Sequence, residues 1–128
     1  MPQNIEANKK NAIDFYRTAF EGAPIKAIER YVGRDYIQHN PLVGDGKQSF
    51  IDYFTEMVDQ YPNKQIEFIR AVAEDDLVAL HTHQQWPEGA EYVTMDFFRF
   101  DENGKIIEHW DAIQLVPEFS KNGNSMFL

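Results

Sequence analysis

The fold depends most on one stretch close to the end of the chain, Gly104-Lys105-Ile106-Ile107-Glu108-His109-Trp110-Asp111-Ala112-Ile113-Gln114-Leu115. The residues that lead into it, Asp101-Glu102-Asn103-Gly104, tolerate positive φ and predict a β-strand entered from a tight turn. Side chains alternate between the two faces of a strand. One face therefore carries Ile107, His109, Asp111, Ile113 and Leu115, and the other carries Ile106, Glu108, Trp110, Ala112, Gln114 and Val116.

The first of these faces is apolar at three of its five positions, so we expect it to look into the core. His109 and Asp111 then lie among buried aliphatic side chains. A buried carboxylate without a partner is costly, and its pKa tends to rise. Two interpretations stay open at this point. Asp111 is either poised for proton transfer, or it is a structural carboxylate bonded to backbone beside a core histidine.

Length and composition predict one globular domain over residues 1–128, and the tail from Phe119 to Leu128 is predicted to be irregular. Hydrophobic residues make up 43% of the chain, which is a globular composition. Ten Phe, six Tyr and two Trp favour a deep core, an aromatic pocket, or both.

Charge and motif content exclude several classes of function. The net charge of −9 argues against nucleic acid or an anionic membrane as a partner. The chain has no cysteine, so thiol and disulfide chemistry are excluded. No apolar run approaches the roughly 20 residues of a membrane span, and Met1–Glu6 lacks the features of a signal peptide. We therefore expect a soluble, cytoplasmic protein.

The first half of the chain has the apolar periodicity of amphipathic helices. Helices are predicted over residues 4–20, 24–32 and 47–61. Extended chain, Tyr36–Gly46, separates the second helix from the third, because Asn40 precedes Pro41 and so avoids the α region.

From Gln65 onward the apolar pattern changes to the two-residue period of β-strands. Turns at Glu74–Asp76, Pro87–Ala90 and Asp101–Gly104 separate four long strands, which predict an antiparallel meander. The predicted fold is α+β: N-terminal helices pack on a curved antiparallel sheet and form a cone with an internal pocket. Large apolar side chains on both faces of the last strands predict a homodimer through the outer face of the sheet.

Three parts of the sequence have a familiar pattern: Phe15-Tyr16, Asp35–Pro41, and Asp96–Phe100 followed by Gly104–Asp111. Together they resemble the nuclear-transport-factor-2-like (NTF2-like) superfamily and, within it, the SnoaL-like branch that contains polyketide cyclases. The resemblance covers about residues 5–117. It implies a cone-shaped α+β fold, usually dimeric through the sheet, that works without a cofactor. In SnoaL-like cyclases a pocket aspartate is the base of an intramolecular aldol closure, and the resemblance places Asp111 in that position.

Ionisable residues on the predicted inner faces indicate acid–base chemistry. If the strand face with His81 and His83 and the face with Asp96 and Phe98 line the cone, carboxylates and imidazoles converge on an aromatic cavity. Proton abstraction next to a carbonyl needs this combination, because a carboxylate with a raised pKa takes the proton while donors hold the enolate oxygen.

We predict that Asp111 is the base, that His39, His109 or Tyr16 is the donor, and that Asp96 is a second acid or orients a histidine. Substrate contacts are predicted for Tyr16, Asn40, Phe54, His81, His83 and Phe98. Structural alternatives stay open: an arginine pair for Asp96, a loop cap for His39 and a core position for Tyr16.

His81-Thr82-His83 is also a possible pair of metal ligands, because side chains at i and i+2 point the same way. The motif is short, and the resembled family implies no metal, so we predict neither a metal nor another cofactor. The predicted function is a small enzyme that acts on an apolar carbonyl compound by aldol closure, isomerisation or dehydration. The alternatives are a non-catalytic, dimeric domain that binds a small molecule, and a plain dimerisation module.

Overall fold

The structure is a computed structural model that describes residues 3–128, so Met1 and Pro2 of the segment predicted to lack a signal peptide lie outside the described residues. Within residues 3–128, three α-helices and five strands make up the fold, with a short 3-10 turn at Pro87–Gly89. They follow in the order α1 (Ile5–Phe20), α2 (Pro24–Tyr31), β1 (Val32–Gln38), α3 (Gly46–Gln60), β2 (Gln65–Glu74), β3 (Leu77–Gln85), β4 (Glu91–Phe100) and β5 (Ile106–Leu115).

Local signals set the ends of the first two helices. The Asn4 side chain accepts a hydrogen bond from the Ala7 amide at 3.0 Å and caps the start of α1. Gly22 follows the end of α1 with φ of 115°, a conformation that disfavours any side chain. Pro24 opens α2, where its missing amide proton costs nothing. These short connections fold α1 and α2 back on each other.

The five strands form one sheet in the order β1-β5-β4-β3-β2. The three pairs among β2, β3, β4 and β5 are antiparallel, whereas β1 runs parallel to β5. The α+β class with helices packed on the sheet is therefore confirmed, but the sheet is mixed and not wholly antiparallel. The strand β1 is short and mostly polar, so its sequence pattern did not separate it from an extended loop.

A β-bulge changes the predicted alternation at the start of β5. Glu108 pairs with Arg99 but Ile106 pairs with Phe100, which leaves Ile107 as the extra residue. Ile106 is consequently fully buried in the core, although strict alternation assigned it to the outer face. Beyond the bulge the prediction holds, since His109 and Asp111 point towards the helices.

The inner face of β3 is the opposite of the predicted one. Leu80 pairs with Asp96 and Thr82 pairs with Thr94, and directly paired residues share a face of the sheet. Val78, Leu80, Thr82 and Gln84 therefore face inwards. Both faces of β3 contain apolar residues, so alternation alone did not decide between them. The prediction that His81 and His83 face the cavity is wrong.

The segment after β5 contains no helix or strand, as predicted. It returns across the outer face of the sheet, where Phe127 stacks on the ring of His83 at 3.9 Å between centroids. The tail thus lies on the face of the sheet away from the helices. Among the described residues, no helix combines the length and the apolar character that crossing a membrane would take.

Candidate active site

A cavity of about 250 Å³ lies between the helices and the inner face of the sheet. Most of its wall is aromatic or aliphatic, and over the described residues it contains no lysine or arginine. The exposed side chains of Leu42 and Ile113 mark its opening. Its polar wall consists of Gln38, Asn40, Gln84, His109, Asp111 and the hydroxyl-bearing rings of Tyr16, Tyr36, Tyr53 and Tyr92.

Asp111 lies on the inner face of β5, and one oxygen of its carboxylate has no hydrogen-bond partner among the described residues. Its Oδ1 accepts a hydrogen bond from Asn40 Nδ2 at 2.8 Å, whereas Oδ2 is 3.9 Å from His109 Nε2, beyond hydrogen-bond distance. Burial raises the pKa of the Asp111 carboxyl above its usual value, against the opposing effect of His109. The charge of Asp96 adds to the rise and the Asn40 hydrogen bond reduces it.

The Asn40 amide has a fixed orientation. Its Oδ1 accepts the backbone N–H of Leu42 at 2.8 Å, so the NH₂ group must be the end that faces Asp111. This turn stands immediately before the rim of the cavity, and it holds the donor against one oxygen of the carboxylate. The other oxygen stays available to a molecule in the cavity.

Behind Asp111, His109 and Asp96 form a buried pair. Asp96 is fully buried, is directly opposite Asp111 in the sheet, and approaches His109 Nε2 with its Oδ2 at 2.8 Å. Its other oxygen accepts a hydrogen bond from Thr94 Oγ1 at 2.6 Å. No buried side-chain polar atom lacks a partner in the described part of the chain. Asp96 therefore supports the site from behind the cavity wall.

The hydrogen bonds of Gln38 determine how many protons this pair holds. Gln38 Oε1 accepts the backbone N–H of Asn40 at 3.0 Å, so it must also be the acceptor for His109 Nδ1 at 2.8 Å. His109 Nδ1 consequently carries a proton. One further proton lies between Nε2 and Asp96, and with it the His109–Asp96 pair has no net charge. Asp111 is then the group that brings negative charge to the cavity.

Two tyrosine hydroxyls face the same end of the cavity. Gln38 Nε2 donates to Tyr36 Oη at 3.3 Å, which leaves the hydroxyl proton of Tyr36 without an acceptor among the described residues. Burial raises the pKa of Tyr36, and the charges of Asp96 and Asp111 raise it further. Burial and Asp111 likewise raise the pKa of Tyr53. Both hydroxyls thus stay protonated and can donate to a bound oxygen.

The sequence interpretation did not select Gln38, Tyr36, Tyr53 or Thr94. The signal for two of them was present, because alternation places Tyr36 and Gln38 on the same face once Val32–Gln38 is taken as a strand. Tyr53 lies next to the predicted contact Phe54 on α3 and gave no separate signal.

Tyr16, which also lines the cavity, is held by a chain of hydrogen bonds. Trp86 Nε1 donates to Gln84 Oε1 at 3.1 Å, so Gln84 Nε2 is the end that donates to Tyr16 Oη at 2.8 Å. Burial raises the pKa of Tyr16 far above its usual value. Tyr16, Asn40, Phe54 and Phe98 line the cavity, where the sequence placed them.

His39 lies outside the cavity, contrary to its predicted role as a donor to the substrate. Its ring stacks on Trp110 at 4.8 Å and its Nε2 is 2.7 Å from Glu108 Oε2, both on the outer face. Its neighbours Gln38 and Asn40 point inwards, so alternation turns His39 outwards. His81 and His83 also lie outside, and neither Asp111 nor His39 approaches them as a third metal ligand.

One cluster within the described residues has suitable ligand atoms for a metal ion: Asp96, His109 and Asp111, whose ligand atoms lie within 4.8 Å of one another. Both ring nitrogens of His109 are already hydrogen-bonded. A cation here would have to replace the proton between His109 and Asp96. With the proton in place, the hydrogen bonds of Asp96, His109 and Asp111 are those of a proton-transfer site.

Structural comparison finds the same fold in several solved proteins. TsrD from Streptomyces laurentii superimposes with a TM-score of 0.74 at 15% identity, over 87% of this chain and 91% of that one. A SnoaL-like polyketide cyclase from Agrobacterium tumefaciens gives 0.70 at 11% identity, over 84% and 91%. A proposed ketosteroid isomerase from Kribbella flavida gives 0.72 at 14% identity, over 95% and 90%. At these identities the likeness shows a shared NTF2-like fold.

Sequence comparison defines the family more directly. No curated protein sequence matches the chain at a significant level. The model of the SnoaL-like domain, however, matches residues 12–109, which contain Asp96 and His109 and end two residues before Asp111. Since this match covers well over half of the sequence, the chain belongs to the SnoaL-like domain family.

Proposed function

We propose that the protein is a cofactor-free enzyme that removes a proton from the carbon next to the carbonyl group of a neutral, apolar compound. The observation that carries the proposal is the free Oδ2 of Asp111, an oxygen of a carboxylate with a raised pKa that faces an aromatic cavity. Such a group accepts a proton near neutral pH more readily than an ordinary aspartate. Aldol closure, isomerisation and dehydration of carbonyl compounds can all begin with this step.

In this mechanism the proton moves from carbon to Asp111 Oδ2, and the electron pair moves onto the carbonyl oxygen. Tyr36 is the donor best suited to that oxygen, because its hydroxyl proton has no acceptor among the described residues. Tyr53 is the second donor. Asn40 holds the other oxygen of Asp111 and fixes the direction of the free one. The His109–Asp96 pair lies behind the carboxylate and makes no hydrogen bond to its free oxygen.

The charges of the site also restrict the substrate. The described cavity wall contains a carboxylate and no cationic side chain, so an anionic substrate would be repelled and left unpaired. Carboxylates and phosphate esters are therefore poor candidates. The remaining wall, which includes Phe15, Phe50 and Phe54, favours an aromatic or alicyclic ketone.

Hydrogen–deuterium exchange at carbon tests the proposal without knowledge of the final product. Neutral ketones such as acetophenone and 2-tetralone are incubated with the protein in D₂O, and loss of the α-proton signal is followed by NMR. We expect exchange to be faster with the wild-type protein, and Asp111→Asn to reduce the enzymatic rate by about 10²–10⁴-fold. Tyr36→Phe should reduce it by about 10²–10³-fold, as for the loss of one oxyanion donor.

The matched control is Asp52→Asn, which neutralises an exposed aspartate on α3 outside the cavity wall. Exchange at the wild-type rate in Asp111→Asn would reject Asp111 as the base. A metal requirement is tested in parallel, since the proposed mechanism predicts an unchanged rate after treatment with EDTA.

The alternative function is a dimeric domain that binds a neutral small molecule without changing it. It is favoured by the number of site groups already paired with each other, including both nitrogens of His109 and both ends of Gln84. Under this alternative, ketones raise the melting temperature but do not exchange, and Asp111→Asn leaves their affinity within a few fold. In either case we propose a homodimer formed through the outer sheet face and a cytoplasmic location.

A further inference from the structure

The outer face of the sheet has a second cluster of polar side chains, separate from the cavity. Arg70 of β2 and His81 of β3 pair across the two strands, and His83 follows on the same face; we call these three residues the tail site. The segment Met126–Phe127 lies on it. The predicted His-x-His motif is thus part of a contact with the chain's own tail.

Four contacts attach the segment to the tail site. Phe127 stacks on His83 with centroids 3.9 Å apart and rings 19° from parallel, and it lies 5.9 Å from the ring of His81. The Phe127 carbonyl accepts a hydrogen bond from Arg70 at 3.0 Å, and the Met126 carbonyl accepts one from His81 Nε2 at 3.0 Å. Two backbone carbonyls and one aromatic ring are therefore recognised together.

This arrangement requires one protonation state of His81. Arg70 also contacts His81 Nδ1, and a guanidinium has only donors, so Nδ1 must be the acceptor. The Met126 carbonyl has only acceptors, so Nε2 must carry the proton. The contact therefore forms with neutral His81. A second proton, on Nδ1, would point at the Arg70 guanidinium and place two positive groups in contact.

We propose that the tail site is a docking site for Met126–Phe127 that holds the segment only while His81 is neutral, and that acidification releases it. The loss of the Arg70–His81 contact frees the guanidinium that binds the Phe127 carbonyl. Release exposes His81, His83 and the neighbouring outer face of β3. The inference is independent of the proposed function, because it uses no residue of the cavity.

The other charged groups around His81 and His83 act in different directions. Besides Arg70, β2 contributes Glu67, which pairs with His83 in the sheet, and β4 contributes Glu91, 3.1 Å from His83 Nε2. Within the docked segment, Met126 and Phe127 have no ionisable side chain. A proton on His83 would strengthen its pair with Glu91 and favour the stacked Phe127 ring. His83 therefore opposes release, and the pH response must come from His81.

The test is NMR relaxation of the backbone amides of residues 124–128 in the full-length protein. Measurements at about pH 8 and about pH 5.5 span the range in which histidines change charge. We expect order parameters near 0.85 at the higher pH and below about 0.6 at the lower pH, with the amides of β3 rigid at both. Order at both pH values, or disorder at both, overturns the proposal.

Three variants assign the effect. His81→Gln keeps a neutral donor but cannot gain a proton, so the order of its tail should no longer depend strongly on pH. His83→Phe keeps the stacking and removes the group that opposes release, so it should respond to pH at least as strongly as the wild type. The control His39→Gln removes an exposed histidine elsewhere and should respond like the wild type. Phe127→Ala should be mobile at both pH values. If the response persists in His81→Gln and vanishes in His83→Phe, the assignment to His81 is wrong.

Discussion

The negative charge that Asp111 needs as a base also reduces the stability of the folded protein. Its pKa is raised in the folded protein, so folding favours the protonated form. The stability that this proton provides is present at low pH and is lost as the pH rises through the pKa of the folded state. At neutral pH the ionised carboxylate is therefore a destabilising group. Asp111→Asn keeps an acceptor for Asn40 and removes the charge. We expect its melting temperature at pH 7.5 to equal or exceed that of the wild type, although its α-proton exchange is lost.

The same shift has a kinetic consequence. Because the base must be ionised, α-proton exchange should fall on the acidic side at a pH above the usual range of aspartate. A pH–rate profile measures this directly. An acidic limb at the position of an ordinary, unshifted aspartate would contradict the assignment of Asp111 as the base.

Asp96 is a different kind of carboxylate, because it is fully buried and bonded by both oxygens. Asp96→Ala removes both of these hydrogen bonds and leaves the buried His109 and Thr94 side chains without their acceptor. We therefore expect a loss of about 3–5 kcal/mol in the free energy of unfolding. In Asp96→Asn the amide can still accept from Thr94 and can donate to His109 Nε2. Urea denaturation should therefore show a much smaller loss for Asn than for Ala, and equal losses would argue against this pairing.

At the scale of secondary-structure elements, the parallel contact of β1 with β5 assembles the site. Residues that alternate along the end of β1 bind to both faces of β5: Gln38 and Asn40 bond His109 and Asp111 inside, while His39 stacks on Trp110 outside. The His39 amide also donates to the His109 carbonyl at 3.0 Å. The strand end thus holds Asp111 and its neighbour His109 in place from both sides.

A pair of variants compares the two faces of this contact. Gln38→Ala leaves the Nδ1–H of His109 without its acceptor inside the protein, so we expect a loss of about 1–3 kcal/mol. His39→Ala removes a half-exposed contact with Glu108, and polar pairs at the surface usually contribute about 0.2–1 kcal/mol. Urea denaturation at pH 7.5 measures both. A larger loss for His39→Ala than for Gln38→Ala would mean that the outer contact fixes the strand.

The elements also show where sequence reasoning succeeds and where it fails. Strict alternation from His109 onward placed Asp111 correctly, because the pairing of β5 with β4 has no bulge between Glu108 and Leu115. It failed at Ile106, where a bulge adds one residue, and at His81, where both faces of β3 contain apolar groups and only pairing with β4 decides. It missed Tyr36 and Gln38 because the parallel pairing of β1 depends on contacts far apart in the sequence.

For the whole molecule, the proposed homodimer rests on exposed apolar side chains of the outer sheet face. Val72, Met95 and Phe97 lie on it with 62%, 49% and 48% of their surface exposed, and the row continues through Ala79 to Trp110. The tail contacts Arg70, His81 and His83 beside this row. A contiguous apolar patch of this kind is typical of an interface, and a closed two-fold pairing of the same face would bury it.

Phe97→Glu tests the dimer, because it places a charge at the centre of the patch, directly between Ala79 and Trp110 in the sheet. We expect sedimentation equilibrium to give twice the chain mass of 15.0 kDa for the wild type and the single mass for this variant. The matched control is Ile25→Glu, which changes an equally exposed isoleucine on α2, away from the sheet, and should remain dimeric. A wild-type protein that is monomeric at all concentrations would reject the homodimer. If both variants are monomeric, the cause is general destabilisation and not a specific contact through this face.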